Sequence, residues 1–376
     1  MAVGEAPASF GPAEDLRARI REAGLDAAVG FSPEAVQQLS AATIPSQRSI
    51  RLRLAYVIVP AEGRPELVTS TMEVNLAKRL SRIPSSTYVE FEESPAAALA
   101  QRLRSRGLEG GRIGLEMMYL FAGYYEELRA ALPGATFLAA DRIIAEGRKV
   151  KRPEEIELLR TAALATQHAQ MGAFAESHEG DTERSLLTRI LSRQMEAGLA
   201  YHHGSLSAGP HTVINHHRAG DYRIVKGDLI RIDCGGTLQG YISDVARMAV
   251  VGTPSPRQTE CYRITREAER RGIAALRAGT PAKQAFEAVR ETFEGTRLKF
   301  TMPHVGHGVG IDAHEMPLLQ PQETMPLDPG MVIYLEPIAL DPGGSMYHVE
   351  DLVLVTEADP RILTDWDDGE ELFQID

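Results

Sequence analysis

IRIDCGGTLQGYISDVAR, residues 230–247, reads as two apolar runs joined by a glycine-rich turn, with Asp233 interrupting the first run and Asp244 opening the second. Short apolar runs bounded by such turns are a strand signal. A carboxylate buried in a strand is costly unless it is paired or bound to a metal. The interruption recurs downstream: HVGHGVG (304–310) carries His307, VIYLEPI (332–338) carries Glu336, and YHVEDLVLV (347–355) carries Glu350. Four carboxylates and one imidazole are mostly hard oxygen donors, a set suited to two divalent ions held close together and so to a metal-activated water. Any one of these acids alone reads as a turn cap or a strand-end ion pair. The ordered series of five predicts a site.

The bulk properties narrow the setting. A chain of 376 residues fits two domains, and 43% hydrophobic residues can build real cores. A formal charge of −12 argues against nucleic acid, which is bound through concentrated Lys and Arg. No apolar stretch of about 18 residues is present, so no membrane span is expected. The first residues, MAVGEAPASFGPAEDL, lack the apolar centre of a secretory signal. Two cysteines are too few for a disulfide framework and suit a reducing cytoplasm. Alternation points Cys234 away from the face that carries Asp233, as a small buried thiol.

Along the first 145 residues, apolar runs alternate with helical segments. Residues 15–23 read as a helix ending near Gly24; LDAAVGF, LRLAYVIVP (52–60), PELVTS (65–70) and RIGLE (112–116) read as strands; residues 96–107 read as a helix. This interleaving predicts an α/β domain of about 140 residues. Pro153 with Glu154, Glu155 and Glu157 opens a long helix and a new domain. Further helices are expected from Asp181 or Thr182, from Ser255, closed by Gly279, and from Thr280. Helix pairs followed by antiparallel strands thus occur twice. All eleven histidines lie at or beyond His168, which confines imidazole chemistry to the second domain.

The five phrases, with the His314-Glu315 pair and Pro317, the Glu336-Pro337 pair and the Glu350-Asp351 pair, resemble the pita-bread metallohydrolases: methionine aminopeptidase, aminopeptidase P, prolidase and creatinase. GRKVKRPEEIELLR (147–160) is similar to the linker and first catalytic helix of the prolidase and creatinase branch. The resemblance implies an α+β chain: a creatinase-type α/β N-terminal domain over 12–145 and a pita-bread catalytic domain over 150–376. It implies a dinuclear hydrolase of an amide or peptide bond, most like an Xaa-Pro dipeptidase or aminopeptidase. Its substrate would be a small peptide or amide, with no nucleic acid or membrane partner. A creatinase-like or ectoine-hydrolase-like C–N hydrolase or related lyase is a second reading. A non-catalytic binding protein, which would commonly have lost the ligands, is a third. Two divalent ions are implied, manganese first, with cobalt, iron or zinc as alternatives, in a cytoplasmic homodimer.

By the same resemblance Asp233 holds one ion, Asp244 and Glu350 bridge both, and His307 and Glu336 complete the other. Glu336 doubles as general base, His216 binds the substrate or tetrahedral intermediate, and His314 stabilises the oxyanion. His217 takes the place of His216 if the loop is shifted by one residue. His304 falls three residues before His307, where the family histidine falls four before, at Pro303; it is expected in a supporting or substrate role. His202, His203 and His211 are placed on the substrate loop by proximity alone. The chain departs from the family at His348, where an Arg is usual, at Ile338 for Gly and at Met248 for Thr. A guanidinium fork and an imidazole are not equivalent, so recognition of a substrate carboxylate is expected to differ. The Arg48, Arg51 and Arg53 cluster reads as a solvated basic edge, with a substrate cation lent across a dimer interface as the alternative.

Overall fold

The computed structural model describes residues 12–50, 52–365 and 371–376, and these divide into two compact units between Arg148 and Lys149. In the first unit the strands are β1 (Ala27–Gly30), β2 (Tyr56–Pro60), β3 (Glu66–Ser70), β4 (Ser85–Tyr88), β5 (Arg112–Leu115) and β6 (Thr136–Ala139). They form one mixed sheet in the order β4-β3-β2-β1-β5-β6. Its helices are α1 (Pro12–Glu22), α2 (Pro33–Ser40), α3 (Pro45–Ser49), α4 (Val74–Leu80), α5 (Pro95–Ser105), α6 (Ala122–Ala131) and α7 (Asp141–Ala145).

Alternate residues of β2 feed different cores: Tyr56 and Ile58 join one, Val57 and Val59 the other. A sheet buried on both faces needs such a continuous apolar run, which is how YVIVP reads. The strand starts at Tyr56 rather than Leu52, because Arg53 N–H closes a turn onto Ile50 O at 2.9 Å. Arg48 pairs with Glu34 at 2.7 Å and Arg53 with Glu90 at 2.9 Å; Arg51 lies outside the described residues.

The second unit opens on α8 (Pro153–Ala175) and α9 (Glu183–Glu196), followed by β7 (Ala200–Ala208), β8 (Leu229–Leu238), β9 (Tyr241–Ile242) and β10 (Val245–Val251). The pattern then repeats: α10 (Pro256–Ala274) and α11 (Lys283–Phe293) precede β11 (Gly306–Gly308), β12 (Glu315–Leu318), β13 (Val332–Leu335), β14 (Ile338–Asp341), β15 (Ser345–His348), β16 (Asp351–Leu354), β17 (Arg361–Ile362) and β18 (Phe373–Ile375). One sheet runs β18-β10-β8-β7 with β9 on β8, a second runs β12-β11-β13-β16-β17, and β14 pairs with β15. Among the described residues the first two meet at an isolated bridge, Ala246 to Glu350, beside a backbone hydrogen bond from Ile242 N–H to Gly310 O at 2.9 Å.

Reciprocal caps start two of these helices, Thr182 with Ser185 and Ser255 with Gln258, satisfying N–H groups the helix cannot. The helix expected from Thr280 begins at Lys283 instead. The Thr280 hydroxyl bonds back to Arg277 O at 2.6 Å, and Pro281 forms a bridge to Pro326, so residues 280–282 are occupied as a strand-like pairing. Gly279 does not close α10, which ends at Ala274; Gly279 makes a later turn at φ 78°. β7 replaces the loop expected around His202 and His203. Only its last three residues are buried, so the AYHHGSLSA stretch shows no apolar alternation to read. No helix among the described residues is long and apolar enough to cross a membrane.

Beneath the bridge lies a buried ion network. Arg247 donates to Asp351 Oδ1 at 2.6 Å and to Glu350 O at 2.8 Å, and Arg266 reaches Asp351 Oδ2 at 3.1 Å. Despite its burial, Asp351 is held down to about 2, by Arg247 and then Arg266. Asp351→Asn removes one partner and leaves buried guanidinium charge, so denaturant unfolding should show a loss of about 3–5 kcal/mol. Because the folded pKa is depressed, the wild type's contribution is complete above about 4 and disappears as pH falls through about 2. The variant should lack that acid-dependent step.

Candidate metal centre

β8 presents Asp233 from its middle, opposite Ser205 on β7 and Ala246 on β10. Asp244 stands just before β10, and Glu350 just before β16, its N–H on Ala246 O at 3.2 Å; the bridge between the sheets therefore sets these two carboxylates side by side. His307 is the middle residue of β11 and pairs with Tyr334 on β13. Glu336 leaves the end of β13 with its N–H on Val305 O at 2.8 Å. The glycines around His307 are sterically required: a Cβ on Gly306, at φ 153°, would lie 2.1 Å from Tyr334 O, and one on Gly308 would lie 2.5 Å from Met316 O.

These five side chains line one cavity of about 380 Å³, together with His216, His304, His314 and His348. His307 Nε2 is 3.6 Å from Glu336 Oε1 and 3.8 Å from Glu350 Oε1. His348 Nε2 is 3.6 Å from Glu336 Oε2 and 4.0 Å from Glu350 Oε2. Such gaps are too long for hydrogen bonds, yet two donors each ~2.1 Å from one ion can span them. Asp244 Oδ1, Glu350 Oε1, His304 Nδ1 and His348 Nε2 are buried with no hydrogen-bond partner. Unsatisfied buried polar atoms cost about 1–3 kcal/mol each, so four converging on one cavity call for a cation.

The electrostatics agree. Burial lifts Asp244 and Glu336 each to about 7, and burial with the neighbouring carboxylates pushes Glu350 well above its usual range. Asp233, which is partly buried, is pulled below the usual range by its hydrogen bond to His203 and by His348. Burial lowers His307 to about 3 and His348 to about 4, leaving both imidazoles neutral and able to ligate at neutral pH.

A model of Metallopeptidase family M24 matches residues 157–357, more than half of the chain. The chain belongs to metallopeptidase family M24. A model of the Creatinase/Prolidase N-terminal domain matches residues 13–150 of this M24 protein. An Xaa-Pro dipeptidase of Pyrococcus furiosus is 30% identical over 312 residues, 82% of this chain and 86% of that protein. The dipeptidase PepE structure from Mycobacterium ulcerans superposes with a TM-score of 0.87 at 25% identity, covering 99% of this chain and 100% of that one. The Pyrococcus furiosus prolidase structure does so at 0.80 and 27%, covering 93% and 99%. As an M24 member with its α+β two-domain architecture, the chain is a metallohydrolase.

The remaining sequence candidates divide. His216, at φ 53°, is exposed and faces the cavity. His314 stacks on His307 with ring centroids 3.8 Å apart, and the turn carrying it is fixed by a buried Lys151–Glu315 pair at 2.9 Å. His304 Nδ1 is 3.4 Å from Glu336. His217 turns elsewhere: its Nε2 lies 3.0 Å from Glu183 Oε2, while His211 Nδ1 lies 2.9 Å from Oε1. The N–H groups of Ala208 and Gly220 also donate to Glu183, so both its oxygens are saturated and it anchors the loop bearing His216.

Sequence reasoning missed Glu183, which reads as an ordinary acid in a helix's first turn, and Arg231, which lines the cavity while donating to Ile214 O at 2.8 Å. It placed His203 on the substrate loop by proximity alone, whereas Nε2 stands 3.2 Å from Asp233 and 2.9 Å from Asp244. Metal analysis of protein purified with manganese should find about two ions per chain. Chelation should lower the unfolding temperature as the native-state ligand is withdrawn.

Proposed function

We propose that this M24 protein is a dinuclear metallopeptidase that cleaves Xaa-Pro dipeptides. The observation that carries this reading is the single cavity of about 380 Å³ into which four carboxylates and several imidazoles project. Its volume suits a small ligand. The 30%-identical relative is named an Xaa-Pro dipeptidase, which supports the choice of bond. The oxygen-rich set of Asp233, Asp244, His307, Glu336 and Glu350 suits manganese first, with cobalt, iron or zinc as substitutes. A homodimer in the cytoplasm, a compartment compatible with the free, buried Cys234 and Cys261, completes the proposal.

Two divalent ions held there would acidify a water and polarise the scissile carbonyl. The chain's own groups do the rest. Glu336 takes the water's proton and passes it to the leaving amine. His314, its pKa lowered by burial, is a neutral N–H donor to the oxyanion. His216 reaches from its exposed loop to bind the substrate. The carboxylate anchor moves: with His348 where the family resemblance implies an Arg, the guanidinium that lines this cavity is Arg231, and a dipeptide's terminal carboxylate is its natural partner. A second reading, a C–N hydrolase of a small solute, draws on the same His348 and on Ile338 in the cavity wall.

Assays with Ala-Pro, Gly-Pro, longer Xaa-Pro peptides, creatine and ectoine separate these readings. Turnover of the dipeptides is expected; turnover of creatine or ectoine with no Xaa-Pro cleavage favours the second. Glu336→Ala should lower kcat by about 10²–10⁴-fold, and an active variant removes its assigned role. Arg231→Met should raise KM for Ala-Pro by about 10-fold or more and leave turnover of the C-terminal amide, Ala-Pro-NH2, unchanged. An equal loss on both substrates would contradict carboxylate recognition.

A further inference from the structure

The centre holds more imidazole than the five-residue set supplies, and His203 is placed on the side that otherwise has only oxygen. The β7–β8 pairing shifts register between Tyr201 and His203, which sets His203 opposite Gly235 and Ser205 opposite Asp233. Residues two apart share a face, so His203 and Asp233 project into the cavity together. The fit depends on the glycine: a Cβ on Gly235 would fall 2.8 Å from His203 Cε1 and 1.7 Å from Ser243 O. Gly235 therefore lets the imidazole lie down across β8, with Nε2 3.2 Å from Asp233 Oδ1 and 2.9 Å from Asp244 Oδ1.

The second of those contacts is informative. Asp244 Oδ1 is buried and makes no aligned hydrogen bond, although a nitrogen stands 2.9 Å away. Donor atoms so close but not aimed at each other are what neighbours around one ion look like, since two ligands ~2.1 Å from an ion at a right angle are ~3.0 Å apart. The three atoms of His203, Asp233 and Asp244 lie within 4.8 Å of one another, as do those of Asp244, His307 and Glu350. We propose that His203 is a sixth protein ligand, giving the ion held by Asp233 and Asp244 its own imidazole. Each ion then has a nitrogen donor. Because imidazole suits zinc, iron and cobalt-like ions better than manganese, His203 also sets metal preference at that position.

The inference rests on the dinuclear reading above, and the experiment keeps the two apart. Metal-depleted wild type and His203→Ala are titrated with zinc, cobalt and manganese by calorimetry, with cobalt absorption bands recorded and folding checked by circular dichroism. The wild type should take two ions. The variant should bind one of them at least ~10-fold more weakly, with altered cobalt bands and a smaller preference for zinc over manganese. If His203→Ala binds both ions with unchanged affinity, spectrum and preference, His203 is not a ligand, and the metallohydrolase reading stands. If the wild type binds no ion, that reading falls and this inference with it. X-ray absorption of the zinc-loaded wild type needs no variant: about one imidazole or more per zinc is expected, and about half, the share of His307 alone, overturns the proposal.

Discussion

Four carboxylates sharing one cavity, Asp244 and Glu350 buried and Asp233 and Glu336 partly buried, cannot all ionise freely against one another in a medium poorer than water, and this repulsion governs the site. Without cations the conflict shows as carboxyl groups pushed up in pKa, Glu350 furthest above its range and Asp244 and Glu336 to about 7. With divalent ions the same groups become ligands. A metal is therefore as much a folding partner of this site as a chemical one, and the sheets around it are arranged so that the acids cannot relax apart.

The arrangement depends on one narrow join. Two five-stranded sheets meet at the Ala246–Glu350 bridge, and Arg247 clamps it by donating to Glu350 O and to Asp351. Asp351 faces the ion network and Glu350 the cavity, so adjacent residues serve structure and chemistry separately. Glu183 does comparable work at the rim. Its carboxylate accepts from His211, His217, Ala208 and Gly220, which fixes the loop on which His216 reaches the cavity.

The sequence made the five acid and histidine positions legible because each breaks an apolar run or a glycine turn, a pattern that survives without any knowledge of pairing. The helix starts at Pro153, Thr182 and Ser255 were legible through local capping chemistry. What lay hidden was non-local. The start of α11 was displaced by a bridge between Pro281 and Pro326. β7 lacks alternation because its first six residues are exposed or only partly buried. With that strand unread, nothing signalled that His203 would cross to Asp233 and Asp244, or that His217 and His211 would face Glu183 instead of substrate. Arg231 was similarly concealed, as a lone cation in an apolar run whose partners, Ile214 and Asn215, lie on another loop.

Anomalous diffraction from crystals soaked in manganese tests the cation requirement most directly. Two strong peaks inside the cavity are expected, one beside Asp233 and the other beside His307 and Glu336, with Asp244 and Glu350 reaching both. A cavity without anomalous density at saturating manganese, with the carboxylates still converged, would show that protons alone reconcile these acids and would contradict a metal-built active site.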